Sequence, residues 1–250
     1  TINEKNQNSE DTVLNEKAPS RQEVWKMFDR IAKRYDFLNH FLSFGIDKSW
    51  RKKVAALLPG RKDMSVLDIA TGTGDLLLSI VGSNMNVSRG YGIDLAKKML
   101  KIGREKIRIG IFSQKIKFMP GDAESIPCRS GKFDAVTIAF GIRNVLNVQS
   151  SLDEMYRVLN KGGKVLILEF SLPGNPFIRR FYLFYFRYIL PFLGKIISGD
   201  NSAYRYLNQT VETFPYGQSF CDLLVNSGFK NVKFIPLTYG VSTIYTGEKP

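Results

Sequence analysis

At 250 residues, with 44% hydrophobic and 24% charged side chains, the chain is long enough to bury one sizeable α/β core and too apolar to be disordered throughout. Its net charge of +13 asks for an anionic neighbour, yet the basic residues fall in short clusters such as Arg51–Lys52–Lys53 and Arg179–Arg180. That scatter argues against nucleic acid and fits an anionic membrane surface better. Two cysteines without a CxxC pair and the single histidine His40, which has no company for a catalytic triad, argue against a metal site; reduced thiols suit a cytoplasmic protein.

Residues 1–20 are polar and aperiodic, which predicts a flexible N-terminal arm, and no basic stretch followed by an apolar one marks it as a secretory signal. From Arg21 the pattern turns helical, with Val24, Phe28, Ile31 and Tyr35 on one face. A second apolar stretch, Phe37 to Phe44, leads into Gly45, and a short helix holding Trp50 follows. This helical segment, 21–58, either covers a cofactor pocket or packs on the sheet. The chain then alternates strand and helix: Val66–Ala70, Asp75–Val81, Tyr91–Asp94, Ala96–Arg108, Lys115–Met119, Phe133–Ala139, Ser150–Leu159 and Lys164–Phe170. Such alternation predicts a doubly wound, mostly parallel sheet in a single domain over 21–250, with Lys161–Gly162–Gly163 ending a helix. The last two runs, Phe229–Pro236 and Val241–Gly247, read as an antiparallel pair.

An aromatic insertion over 173–200 interrupts the alternation. On helical spacing Phe177, Phe181, Phe184, Tyr185, Tyr188 and Phe192 share a face, while Arg179, Arg180 and Arg187 point elsewhere. Three arginines and Pro191 make it a poor membrane span. The stripe is either core or a surface that meets lipid.

Chemistry concentrates in VLDIATGTGDL, residues 66–76. Gly72 and Gly74 permit a tight turn after a strand and let backbone N–H groups approach a ligand. Asp94 ends the next apolar run, twenty residues beyond Gly74, placed to take two ribose hydroxyls. A dinucleotide fingerprint would have its third glycine at Leu77. Its absence disfavours NAD and FAD and suits S-adenosylmethionine, which has a ribose and adenine but no phosphate. Gly121–Asp122–Ala123–Glu124 falls at the carboxyl end of the third strand, where such sheets bind ligands.

Several longer blocks then occur in order: VWKMFDRIAKRYDFLNHFLSFGIDKSWRKK, GIDLAKKMLKIGREK, GDAESIP, FDAVTIAFGIRNV, EMYRVLNKGGKVLILEFSLP and YLNQTVETFP. Together they resemble the ubiquinone/menaquinone biosynthesis C-methyltransferases across nearly the whole ordered chain. FGIRNV and the YDFLN…SFGI…W segment are the particular signatures; the glycine turn occurs in many unrelated methyltransferases. The resemblance implies a class I, Rossmann-like methyltransferase fold with a seven-stranded sheet. It implies cofactor contacts at Thr73, Asp94, Asp122 and Ala123, alongside Gly72 and Gly74 of the turn. Some members place a serine contact where this chain has Ala139, and many have Asn-Ala where it has Asp122–Ala123.

The implied reaction is S-adenosylmethionine-dependent C-methylation of a polyprenylated quinol, demethylmenaquinol or a 2-methoxy-6-polyprenyl-1,4-benzoquinol. Arg143 is expected beside the developing oxyanion, Asn144 to orient the quinol oxygen, and Tyr35 to assist, with Asp36 a further candidate. A prenyl tail gives the aromatic stripe a purpose and implies peripheral association with the inner face of the membrane; a homo-oligomer is compatible with the sequence. Two rivals stand beside this reading: a methyltransferase for RNA or a soluble metabolite, and a nonenzymatic membrane-binding module.

Overall fold

In the computed structural model, residues 23–108, 112–191 and 202–250 are described. The apolar runs become β1 (Met64–Ile69), β2 (Val87–Asp94), β3 (Ile116–Pro120), β4 (Phe133–Ala139), β5 (Leu159–Phe170), β6 (Lys230–Leu237) and β7 (Ser242–Glu248). They form one sheet in the order β3-β2-β1-β4-β5-β7-β6. The first five are parallel, and β7 runs antiparallel between β5 and β6. Strand order reverses between β1 and β4, so a crevice opens outside their carboxyl ends, where doubly wound sheets bind ligands.

The helices are α1 (Val24–Leu42), α2 (Ile46–Ala56), α3 (Asp75–Ser83), α4 (Lys97–Lys106), α5 (Phe112–Lys115), α6 (Val148–Val158), α7 (Pro176–Phe184), α8 (Ser202–Thr213) and α9 (Gln218–Asn226). One apolar layer, with Phe133, Phe220, Phe229 and Tyr245, fills the space between the sheet and α6 and α9. The other, with Trp50, Leu77, Ile80 and Phe118, lies under α2, α3 and α4. Phe118 uses the room left by three glycines: a Cβ on Gly74, Gly92 or Gly103 would lie 2.4, 2.5 or 3.1 Å from its ring. The glycine turn is thus fixed from below by an aromatic ring as well as by its own backbone, since Gly74 has φ +85°.

Two expectations change, and one alternative left open is decided. The two apolar stretches before Gly45 form one helix, α1, which stops where Gly45 takes φ 74° and donates to the His40 carbonyl at 2.7 Å. Gly162–Gly163 does not end a helix. α6 stops at Val158 because Leu159 is already extended and pairs with Phe133, and Gly162, at φ 66°, lies in the irregular start of β5, donating to the Lys249 carbonyl at 2.6 Å.

The aromatic stripe, which the sequence left as either core or surface, is mostly surface. α7 begins at a cap where the Asn175 side chain accepts from Phe177 N at 2.9 Å and Pro176 occupies the first turn, and it continues as a π-helical turn over Tyr185–Ile189. Phe177, Phe181, Phe184 and Tyr188 are 56 to 70% exposed, whereas Phe186 and Leu190 pack inward against Leu172 and Val211. Tyr185 leaves the stripe and is half-buried, because the wide turn rotates it toward the interior. Phe192 and the arm 1–20 lie outside the described residues. Among the described residues no helix is long and apolar enough to cross a membrane.

Candidate active site

A cavity of about 350 Å³ opens at the crevice, lined by Ala70 and Gly72 after β1, Asp94 ending β2, Asp122 and Ala123 after β3, and Gly141 and Asn144 after β4. The strand ends need unusual backbone there: Ala70 and Phe140 take φ of 47° and 56°, a region non-glycine residues seldom occupy. Gly141 has no room for a side chain, since a Cβ would meet that of Ala70 at 2.7 Å. The Glu124 carboxylate ties two loops of the rim together by accepting from Leu146 N and Asn147 N at 2.7 and 3.1 Å.

Asp94 is fixed by accepting from Gly72 N and Ala96 N, both at 2.8 Å, one on each oxygen. The carboxylate lines the cavity and retains acceptor capacity beyond these two bonds. Burial pushes the Asp94 carboxyl up, against the amides of Ala96, Gly72 and Leu95 that pull it down. Deeper still, Asp68 is fully buried and accepts from Thr71 and Thr137 hydroxyls, each at 2.6 Å. Desolvation pushes its carboxyl up to about 7, with the Asp94 charge adding to the rise. Asp122 and Ala123 line the cavity, and Asn144 brings to it a buried side-chain oxygen with no partner among the described residues. A carboxylate, an unspent amide oxygen and a glycine turn fit a nucleoside with an amino-acid tail.

Thr73 is placed differently. It is 2% exposed, and its hydroxyl donates to Asp36 at 2.5 Å while accepting from Lys106 at 2.9 Å. Lys106 also pairs with Asp36 and Asp75, both at 2.6 Å. The hydroxyl therefore pins α1 over the glycine turn and is spent in doing so. Asp29 strengthens the same clasp by accepting from Lys98 N at 2.9 Å. Both uses expected for the leading helices are observed: Val24, Trp25 and Phe28 of α1 line the pocket, while α2 packs on the sheet through Trp50, Val54 and Ala55.

A second cavity, about 250 Å³, shares the side chains of Phe28 and Phe140 with the first. Its walls are mainly apolar, with Trp50, Phe140, Phe170 and Phe186 in mutual aromatic contact. Arg143 lines it. Set in a short helical turn after β4, Arg143 is 5% exposed and donates from Nη1 to Glu169 at 2.5 Å and to the Phe140 carbonyl at 2.7 Å. Its guanidinium lies over the Phe170 ring at 5.3 Å. Asn144, by contrast, faces the first cavity, not this one, because the turn sends consecutive side chains to opposite sides of the Phe28–Phe140 wall. The side chain of Tyr35 lies outside the described residues.

Sequence reasoning missed two groups here. Glu169, 1% exposed at the end of β5, is the counter-ion that aims Arg143, and its placement in the apolar run VLILEF was the signal. Asp47 lines the second cavity with its carboxylate held by Ser43 at 2.7 Å, by His40 Nδ1 at 2.7 Å and by Arg51. Burial alone would raise that carboxyl, but these three partners together hold it below the usual range. His40 also reaches Asp75 at 3.5 Å, so its role is to join α1, α2 and α3. Among the described residues no cluster of His, Cys, Asp or Glu could hold a metal.

A doubly wound sheet closed by an antiparallel hairpin, with an acidic residue ending β2 beside a glycine turn, defines a class I S-adenosylmethionine-dependent methyltransferase. A SAM-dependent methyltransferase of Thermotoga maritima shares this fold at a TM-score of 0.64 and 19% identity, over 91% of this chain and 100% of that one. More particularly, the chain belongs to the ubiE/COQ5 methyltransferase family, which matches residues 13–249. It is 43% identical over 228 residues to the ubiquinone/menaquinone biosynthesis C-methyltransferase UbiE of Geotalea uraniireducens, covering 91% of this chain and 97% of that one. It is 42% identical over 224 residues to the demethylmenaquinone methyltransferase of Thermus thermophilus, covering 90% and 100%. Membership of an enzyme family decides against the nonenzymatic module.

Proposed function

We propose that this chain methylates a ring carbon of a polyprenylated quinol, demethylmenaquinol or a methoxy-polyprenyl-benzoquinol, at the inner face of a membrane. The observation that carries the proposal is a buried arginine in an apolar cavity that shares two aromatic side chains with the cofactor cavity. When bound, S-adenosylmethionine supplies an electrophilic methyl group for in-line transfer. Asp94 would hold its ribose hydroxyls, Asp122 its adenine amino group, and Gly72 its amino-acid end through the turn.

An aromatic carbon becomes nucleophilic when the adjacent phenol gives up its proton, so the acceptor must be the reduced ring. A free phenol has a pKa of about 10, and the site must favour phenolate near neutrality. Arg143 does so as a fixed cation: Glu169 and the Phe140 carbonyl orient it, and the dry walls strengthen its attraction for the developing oxyanion. Holding the ring carbon roughly 3–3.5 Å from the methyl group removes several kcal/mol of the barrier through alignment alone. Attack by phenolate on sulfonium neutralises charge, so an apolar site does not oppose it.

Exposed Phe177, Phe181, Phe184 and Tyr188, with the exposed Arg179 and Arg180 beside them, suit an anionic bilayer: rings enter the interface and these guanidinium groups meet the headgroups, while Arg187 is paired with Glu212. Phe44, 79% exposed, touches Tyr185 of the acceptor cavity, which puts apolar surface at that cavity's mouth for a prenyl tail. The test is a labelled methyl-transfer assay with each acceptor in reduced and oxidised form. Transfer to quinol and none to quinone is expected. Equal transfer to both, or transfer to neither quinol, refutes the reading.

A further inference from the structure

Two donors in the acceptor cavity have nothing to donate to. The Arg143 Nε–H and the Tyr182 hydroxyl are both buried and without a partner among the described residues, and both side chains line that cavity. Tyr182 lies on α7, a long way in sequence from every cofactor motif. Its ring stacks on Phe186 with centroids 5.1 Å apart, so packing holds the ring in place independently of its hydroxyl. Burial pushes the Tyr182 phenol well above the ordinary 10.0, although the Arg143 charge works against that rise. The hydroxyl stays protonated and serves as a donor. Arg143 has spent Nη1 on Glu169 and Phe140, which leaves Nε as a free point of its fork.

A buried hydroxyl with no partner works against folding, and phenylalanine would fill the same space without that penalty. The hydroxyl is therefore explained by a ligand. We propose that Tyr182 is a catalytic residue, whose hydroxyl joins the Arg143 Nε–H in holding one oxygen of the acceptor ring and holds it more tightly as phenolate than as phenol. Both protein groups are donors, and hydrogen bonds to an ionised acceptor are roughly twice as strong as those to a neutral one. A donor pair of this kind selects the charge state that the ring carbon needs for attack. The inference rests on the quinol-methylating function proposed above.

The test compares the wild-type chain with Tyr182→Phe, which removes the hydroxyl and keeps the stacked ring. Melting temperature without ligand should stay the same or rise, and calorimetry should find S-adenosylmethionine affinity within about twofold, since Tyr182 does not line the cofactor cavity. Single-turnover methyl transfer to a short-tailed quinol should fall by about 10- to 100-fold near neutral pH, the scale of one lost oxyanion donor. The loss should shrink in alkali, where the acceptor ionises unaided. A wild-type rate, or a lowered rate with an unmoved pH profile, overturns the proposal. A second measurement uses 4-nitrophenol, whose anion is coloured: the wild-type protein should bind the anion in preference to the neutral form, and the variant should lose that preference. If neither protein methylates any quinol but this difference holds, the fault lies with the assigned substrate; equal anion preference in both removes Tyr182 from the site.

Discussion

Replacing Glu169 by Gln tests whether the pair it forms with Arg143 is desolvated. The two side chains are 1 and 6% exposed, so water cannot take over from a lost partner, and the relevant scale is the ~3–5 kcal/mol of a broken buried pair rather than the ~0–1 of a surface one. Gln retains a side-chain oxygen for Phe170 N, which donates to Glu169 at 2.9 Å, so that bond survives. Arg143 also keeps the Phe140 carbonyl and the face of Phe170, the latter worth about 0.5–2 kcal/mol. These remaining contacts bring the expected cost of Glu169→Gln to about 2–4 kcal/mol. Arg143→Met, which strands a carboxylate, should cost about 3–5 kcal/mol. With both changes no buried charge is left unpaired, so the double variant should be more stable than the sum of the singles predicts by at least about 2 kcal/mol. Urea unfolding at pH 7.5, followed by tryptophan fluorescence, measures all three; at this chain length each kcal/mol corresponds to about 2–4 °C in melting temperature. Costs that add to within about 0.5 kcal/mol would show that the two charges do not depend on each other, and the account of Arg143 as an arginine aimed by Glu169 would fail.

Asp94→Ala should weaken S-adenosylmethionine by about 1.5–3 kcal/mol, the worth of a hydrogen bond to a charged group; calorimetry on the folded variant checks it, and unchanged affinity removes Asp94 from the site. Changing Phe177 and Phe181 to Ser should reduce binding to anionic vesicles and turnover of a long-tailed quinol more than a short-tailed one. Because the two rings are 70 and 60% exposed, the melting temperature should move little, and a steep drop in it would mark them as packing after all. Asp68 bears on pH. Its carboxyl is raised from 3.8 to about 7, so the folded state holds a proton that the unfolded state has released, and this group's contribution to stability is present below about pH 4 and lost as pH rises to 7. Asp68→Asn should flatten that decline, with a ceiling of about 4 kcal/mol, in unfolding curves collected from pH 4 to 8; parallel curves for the two proteins refute the assignment.

The alternation of apolar runs and helical periods made the sheet legible, and Phe133–Ala139 was predicted residue for residue. Elsewhere the ends at Asp94 and Phe170 held and the others moved by one to five residues, because pairing, not composition, sets them: Leu159 joined β5 only because Phe133 lies opposite. Gly72, Asp94, Asp122 and Ala123 could be placed in the cavity because each lies at or just past a strand end, a position local pattern defines. Thr73 was not, since its hydroxyl is taken by Asp36, thirty-seven residues away in sequence and brought near only by the fold. Asn144 could be placed in the turn but not on a side of it. Asp47 and Tyr182 became site residues through contacts between elements that no spacing in the sequence encodes, and for Glu169 the apolar run signals burial but not its partner.

Phe28 and Phe140 stand in both cavities, and Phe28 belongs to α1, the helix clasped to the body by Asp29 and Asp36. Any displacement of α1 therefore reshapes the walls of both cavities at once. Where binding on one side changes affinity on the other, thermodynamic reciprocity requires the two changes to be equal.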